Sequence, residues 1–460
     1  MARYPSVHTG TGSVPAGLIS FGAVGGLAVA NGGFFPQSWG PAVVALSWAA
    51  VLLLVLDRSP AFPQRGELLL ALACAIVGWT ALTAWWSESV TSSLLEAERA
   101  LVVVAAALAL LLARDRTWML RGVVAAAALT AAWNLVAGGA EPVGYANGIG
   151  ALTAIGVPLA LRERATWPAL AVLVPALVLS HSRGAWLALG LAAIVGALRR
   201  PALVAPAVAV AIALAWVGET RRGEYFPVAV HEARAAPIGG TGAGTWEIWW
   251  LERRPAAHEA HDAHSVYLET LGEQGVIGLA LLAGLLATPL LTRPRDRLAL
   301  AAYAAFVIHQ ALDWDRELPM LTVAGLAVGI ALLPDRQAAV GYRRRAALAT
   351  AALALGGLGV LSGVAQISLA RARDAAHAGD FPRAESLTRR AARVEPWSSR
   401  PLEVRGEAQL AAGDRRRAAA TLRAAIAKDS RRWRLWHDLH EATGSRRAGD
   451  EARRLNPLGG

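Results

Sequence analysis

Lysine is almost missing from this sequence. Of its 45 basic residues only Lys428 is a lysine, so the formal net charge of +11 over 460 residues is carried by arginine. Cysteine is equally scarce. Cys74 stands alone in an apolar run, which excludes an intramolecular disulfide and a cysteine-based zinc site. A water-soluble composition is missing too. At 55% hydrophobic residues and a mean hydropathy of +0.39, the chain is too apolar for a soluble protein of this size and points to many membrane spans. A dinucleotide fingerprint is also absent. The run Gly239-Gly240-Thr241-Gly242-Ala243-Gly244 follows no strand–helix unit, so it reads as a flexible turn. The basic balance would suit nucleic acid in a soluble protein. Here it suits arginine-rich loops between membrane spans, and no nucleic-acid partner is expected.

Thirteen apolar segments are present, near 15–31, 40–56, 67–85, 97–113, 118–137, 145–161, 167–180, 184–198, 202–218, 266–291, 298–313, 318–334 and 346–369. Several fall short of the roughly 20 residues that cross a bilayer untilted. The N-terminal MARYPSVHTGTGSVPAG does not read as a cleaved signal, because its apolar run continues into further spans. The expected fold is therefore all-α: a polytopic bundle of about 12–13 spans in the cell inner (cytoplasmic) membrane. The connections sort by charge. With a cytoplasmic start, the inner loops hold seventeen arginines: Arg3, Arg58, Arg65, Arg114, Arg116, Arg121, Arg162, Arg164, Arg199, Arg200, Arg293, Arg295, Arg297, Arg336, Arg343, Arg344 and Arg345. The other side carries uncharged or acidic connections such as NGGFFPQSWG and WWSESVTSSLLEAER. That asymmetry makes the long segment 219–265 extracytoplasmic.

After Ala370 the composition changes and a 34-residue period appears. Gly379-Asp380 recurs as Gly413-Asp414, Ala384 as Ala418, and Ala391 as Ala425. The spacing and the small residues resemble tetratricopeptide repeats, which pack helix pairs. A further helix with Trp433, Leu435, Trp436 and Leu439 would cap the stack. The chain thus divides into a membrane domain, 1–370, and a helical repeat domain, 371–460. The repeat domain is a candidate dock for a protein or glycan, or a packing appendage.

One stretch carries chemistry. His258 to Leu279, HEAHDAHSVYLETLGEQGVIGL, begins polar and ends as an apolar helix from Val266. Glu269 and Glu273 share one face of that helix. Gly272, Gly275 and Gly278 would let neighbouring helices approach closely. His258, His261 and His264 are three apart, and on one helical face they would be metal ligands. The pattern His264 to Leu279, HxxYLxxLxExGxxGL, resembles the signature of the O-antigen ligase and O-antigen polymerase superfamily. The resemblance covers about residues 145–320.

The resemblance implies a metal-independent membrane glycosyltransferase with no cofactor. Its donor would be a saccharide on undecaprenyl pyrophosphate, and its acceptor a glycan or lipid-glycan hydroxyl. His264 would be the catalytic base, since a neutral imidazole can take a hydroxyl proton. Arg183, in Ser180-His181-Ser182-Arg183-Gly184, would face the pyrophosphate, which a guanidinium binds in bidentate fashion. Arg221 or Arg222 would join it, ahead of the amphipathic stretch EYFPVAVHEAR and the turn from Pro237 to Gly244, with Arg234 a further candidate. Asp313, one turn after His309, matches an H-x-x-x-D…P element and is a substrate-binding candidate. Tyr145-Ala146-Asn147 looks like a Y-x-N element with a packing role. Two alternatives stay open: a polysaccharide polymerase of the same superfamily, and a non-catalytic scaffold recruiting envelope enzymes through the repeat domain.

Overall fold

The computed structural model describes residues 13–217, 221–291 and 296–459. Arg3, Arg293 and Arg295 lie outside the described residues, as do positions 219 and 220 of the long loop. Twenty α-helices follow in order. The first nine are α1 Ser13–Val29, α2 Trp39–Leu56, α3 Gly66–Thr83, α4 Val90–Leu112, α5 Arg116–Ala137, α6 Ala146–Leu161, α7 Leu170–Leu179, α8 Arg183–Leu198 and α9 Val204–Val217. Two short helices, α10 Arg222–Ala235 and α11 Trp246–Arg253, occupy the long connection. Then come α12 Val266–Ala287, α13 Arg297–His309, α14 Pro319–Leu332 and α15 Tyr342–His377. The chain ends with α16 Phe381–Val394, α17 Arg400–Ala411, α18 Arg415–Ile426, α19 Trp433–Thr443 and α20 Arg446–Leu455. The strands β1 Ala61–Pro63 and β2 Gln337–Ala339 form one antiparallel ribbon.

Every one of the thirteen apolar segments is a helix: α1 to α9 and α12 to α15. Five helices, α2, α3, α5, α12 and α15, are long and apolar enough to cross a membrane. Most of the rest are apolar but shorter, while α4 carries Glu96, Glu98 and Arg99 in its first half. Helix is the economical state for such segments, because each satisfies its own backbone hydrogen bonds where water is absent. The outer surface of the bundle leaves large apolar side chains bare, among them Trp48, Leu52, Val55, Val136, Leu179, Ile194, Leu214 and Leu353. An apolar sheath of this kind suits lipid rather than water. At the centre, α13 is buried from Ala299 to His309 and packs against α6, α8 and α14. The helices α2 and α15 cross tightly, since a Cβ on Gly40 would strike the backbone of Gly359 and Gly363.

The connections gather at two ends. At one end the β1–β2 ribbon joins the α2–α3 and α14–α15 connections. Arg114 reaches Asp57 and the Ser59 carbonyl, Arg116 reaches Asp335, and Arg162 reaches Asp296. The described arginines of the expected inner loops that make ion pairs or carbonyl contacts make them among these connections. At the other end sit the connections 30–38, 84–89 and 138–145, the segment 221–265, and 310–318.

The composition boundary at 370 is not a break in the chain. Helix α15 runs through it for 36 residues, about 54 Å at the rise of an α-helix. Beyond it the 34-residue period reappears as geometry. Gly379 and Gly413 have φ of 77° and 79°, and Asp380 and Asp414 cap α16 and α18 through the backbone N–H groups of Arg383 and Arg417. Ala384, Ala391, Ala418 and Ala425 are all fully buried. The segment with Trp433 is not a lone capping helix. It is the first of a third pair, α19–α20, whose turn uses Gly444 and the cap Ser445. The short polar α20 has too little apolar content to read as a core element in sequence.

Candidate active site

His264 stands just before α12 in the left-handed region, at φ 54°. That conformation is costly for a side chain with a Cβ and persists only where the surroundings fix it. Two contacts do so. Ala263 donates its N–H to Glu269 at 2.9 Å, and Val266 donates to the carbonyl of Gln310 at 2.9 Å. The imidazole lies 4.7 Å from the Tyr225 ring of α10 and 6.5 Å from the Trp314 ring. Its Nδ1 is 3.1 Å from the Asp262 carbonyl, an acceptor only, so Nδ1 carries the proton and Nε2 holds the lone pair. Burial pushes the imidazole below its usual pKa, against the opposing pull of the Asp313 carboxylate, and keeps it neutral.

Asp313 forms the other wall. Its oxygens accept from Tyr145 at 2.8 and 3.0 Å, from Asn147 at 2.7 Å and from the Trp314 N–H at 3.0 Å. The Arg222 guanidinium is 3.8 Å away and donates through Nε to the Leu312 carbonyl at 2.6 Å. Tyr145 and Asn147, read from sequence as packing residues, are thus the hydrogen-bonding cradle of Asp313. With its oxygens engaged, Asp313 orients Arg222 rather than offering a free carboxylate. Burial and the neighbouring Asp313 raise the Tyr145 phenol well above its usual range, so it stays a donor. Behind Asp313, His309 Nδ1 meets Asp315 at 2.7 Å, both residues fully buried. His309 Nε2 has no hydrogen-bond partner among the described residues and faces the start of α8, where a Cβ on Gly184 would lie 3.4 Å away.

His264, Arg222 and Asp313 are therefore one group. Arg183 is the first residue of α8, just before Gly184, with an exposed side chain that makes no hydrogen bond or ion pair among the described residues. Arg221 is exposed and lies against Tyr225. Arg234, at the far end of α10, is exposed and apart from this group. The three histidines do not converge. His261 pairs with Glu247 at 2.9 Å, His258 lies 3.7 Å from Glu224, and His264 turns to Asp262.

The glycine run 239–244 is not a flexible turn. Gly240, Thr241, Gly242 and Ala243 are buried and lie along the broken first part of α12, which kinks at Gly275 with φ 67°. Thr241 and Gly242 donate to the carbonyls of Gly272 and Glu273 at 3.2 and 2.9 Å, and Val276 donates to Pro237 at 2.9 Å. A Cβ at Gly240 would collide with the Glu273 carbonyl. Both glycine runs serve one close backbone crossing, a pairing that neither run displays alone.

Below the site lies a buried charge cluster that sequence reading missed, apart from Glu269 and Glu273 sharing a face. Arg316 contacts Glu269 at 2.7 Å, Glu273 at 3.1 Å and Glu96 at 3.7 Å, while Arg99 pairs with Glu96 and Glu317. Asp262, Glu269 and Glu317 bring carboxylate oxygens within 4.8 Å of one another, but the two arginines already hold Glu269 and Glu317. Glu96, Glu98 and Arg99 in the otherwise largely apolar α4 were the available signal.

The C-terminal helices rest on this same end. Asp429 accepts from Ser89 at 2.6 Å, and Arg431 bridges Glu88 at 2.9 Å and Glu252 at 3.0 Å. The buried Arg254 holds the His258 carbonyl at 2.7 Å with one nitrogen and Asn456 at 2.8 Å with another. The stretch leading to His264 is therefore clamped through Arg254 by Asn456, the residue that follows α20. Comparison with protein-family models, curated proteins and solved structures returns no match for this chain.

Proposed function

We propose that the protein is a membrane glycosyltransferase of the O-antigen ligase type, moving a saccharide from a polyprenyl-pyrophosphate carrier to an acceptor hydroxyl. The carrying observation is the neutral His264, pinned through Nδ1 so that Nε2 is left to accept a proton beside Arg222. In the reaction the acceptor oxygen bonds the sugar's anomeric carbon, whose bond to the phosphate oxygen breaks. The acceptor proton goes to Nε2, and the pyrophosphate leaves on its lipid. Arg222, oriented by Asp313, and the unpaired Arg183 would neutralise the leaving group. The arginine asymmetry favours a site on the outer face of a cytoplasmic membrane, with 12–13 spans once the short helices are counted. The C-terminal pairs are read as tetratricopeptide-like. A polymerase of the same superfamily would share this chemistry.

A scaffold reading has its own observation: the C-terminal domain sits directly on the candidate site. One experiment separates the two. Purified protein is given an undecaprenyl-pyrophosphate-linked saccharide, and donor binding and transfer are both measured for the wild type and Arg183→Lys. Bound donor with weakened binding in Arg183→Lys, whose side chain lacks the fork, supports transfer chemistry. No donor binding by the wild type would leave the scaffold reading.

A further inference from the structure

The opposite end of the bundle holds a basin of about 850 Å³, ringed by Arg65, Arg114, Arg116, Arg162 and Arg336. Ligand pockets commonly fall in the range of about 300–1,000 Å³. Three aspartates share the lining, and all are engaged. Asp115 caps α5, Asp296 caps α13 and holds Arg162, and Asp335 holds Arg116. Arg114 is taken by Asp57. Arg65 and Arg336 remain, and neither side chain has a hydrogen bond or ion pair among the described residues.

The fold sets these two side by side. In the ribbon Pro63 pairs with Gln337, and Gln64 donates to the Arg336 carbonyl at 2.8 Å; Arg65 follows Gln64, and both arginines line the basin. Arg65 is also held at φ 69°, a strained backbone for an arginine. Two guanidiniums with no partner among the described residues line one cavity, and each offers a fork of donors for phosphate oxygens. Among the described residues no aromatic side chain lines the basin to stack a nucleobase. Ala299, Ala331, Leu332 and Leu333, from the ends of the largely buried helices α13 and α14, also line it. A water-borne ligand reaches that position more readily than a lipid headgroup.

We propose that this basin binds a water-borne oligophosphate through Arg65 and Arg336, at a site separate from the His264 group. The test uses the full chain in nonionic detergent and titrates pyrophosphate and tripolyphosphate by calorimetry. The expected result is saturable one-site binding, weakened about tenfold or more in Arg65→Gln and in Arg336→Gln, each losing a charge-assisted contact. Arg336→Lys, which keeps the charge without the fork, should bind with intermediate strength, and Arg343→Gln, outside the basin, should bind like wild type. Unchanged thermal melting would show that the glutamine variants remain folded. No saturable binding by wild type, or binding as tight as wild type by Arg65→Gln and Arg336→Gln, overturns the proposal. Displacement of pyrophosphate by anionic phospholipid in mixed micelles, lost in the same variants, would overturn the water-borne assignment in favour of a lipid headgroup.

Discussion

The two ends of the bundle use arginine in opposite ways. At the His264 end, Arg99 and Arg316 are enclosed by Glu96, Glu269, Glu273 and Glu317, and Arg254 is buried between the site segment and Asn456. At the other end arginines line an open basin, with pairs such as Arg116–Asp335 partly in water. Arginine is therefore fully enclosed only at the His264 end, where Arg183 and Arg221 nonetheless stay exposed. The difference follows from solvent. An arginine removed from water must be paired on several sides, whereas one left in water gains little from any single partner.

The largest expected effect tests whether the paired end is also a reacting end. His264→Ala removes the Nε2 lone pair but leaves Arg222, Asp313 and Tyr145 in place. Transfer should fall by about 100- to 10,000-fold, the range for a lost general base, with donor binding largely kept. Full transfer by this variant would sink the general-base assignment and reduce the contrast between the ends to architecture alone.

Next comes a direct comparison of stability. Arg316→Gln leaves Glu269, Glu273 and Glu96 buried without their shared cation, which should cost about 3–5 kcal/mol. Arg116→Gln breaks a pair whose aspartate is mostly exposed, and should cost about 1 kcal/mol or less. Thermal melting in detergent would measure both. Equal losses would show that the two ends do not differ as described.

A smaller effect is the pH profile. Because burial holds His264 below its usual pKa, the required neutral form is complete at neutral pH. Transfer should be flat from about pH 7 to 8 and should fall only below the ordinary histidine pKa of about 6.5, approaching tenfold per pH unit on the acid limb. A limb centred above pH 7 would mean that the base is not this imidazole, or that it is charged at rest.

Much of this contrast was legible in the sequence, and the reasons for the rest are physical. Hydropathy located all thirteen apolar helices, because burying or exposing apolar side chains to lipid leaves a long, local signal. The start of α12 at Val266 and the shared face of Glu269 and Glu273 follow from local periodicity. The Asp313 cradle is different: Tyr145 and Asn147 are more than 160 residues away in sequence, and no periodicity links them. The glycine runs at 239–244 and 272–278 each look like looseness alone, and become rigid only because they cross. Arg183 shows the converse, since its motif was visible but its side chain meets none of the polar groups around His264.

The smallest expected effect decides how the C-terminal domain belongs to the paired end. Asn456 is buried and accepts from Arg254, whose other nitrogen holds the His258 carbonyl. Asn456→Ala removes one charge-assisted hydrogen bond, of about 1.5–3 kcal/mol in general, but Arg254 keeps its second contact. The loss should therefore sit at the low end and loosen the segment before His264 rather than unfold the chain. Transfer should fall by about fivefold to tenfold with donor affinity nearly unchanged, because Arg222 and Arg183 are not touched. A surface substitution on the same domain, such as Arg390→Gln, should leave both quantities alone. If Asn456→Ala transfers at the wild-type rate, the domain is a tethered neighbour. If it loses transfer as expected, the domain is a working wall of the site, and deleting it would abolish activity without any partner being lost.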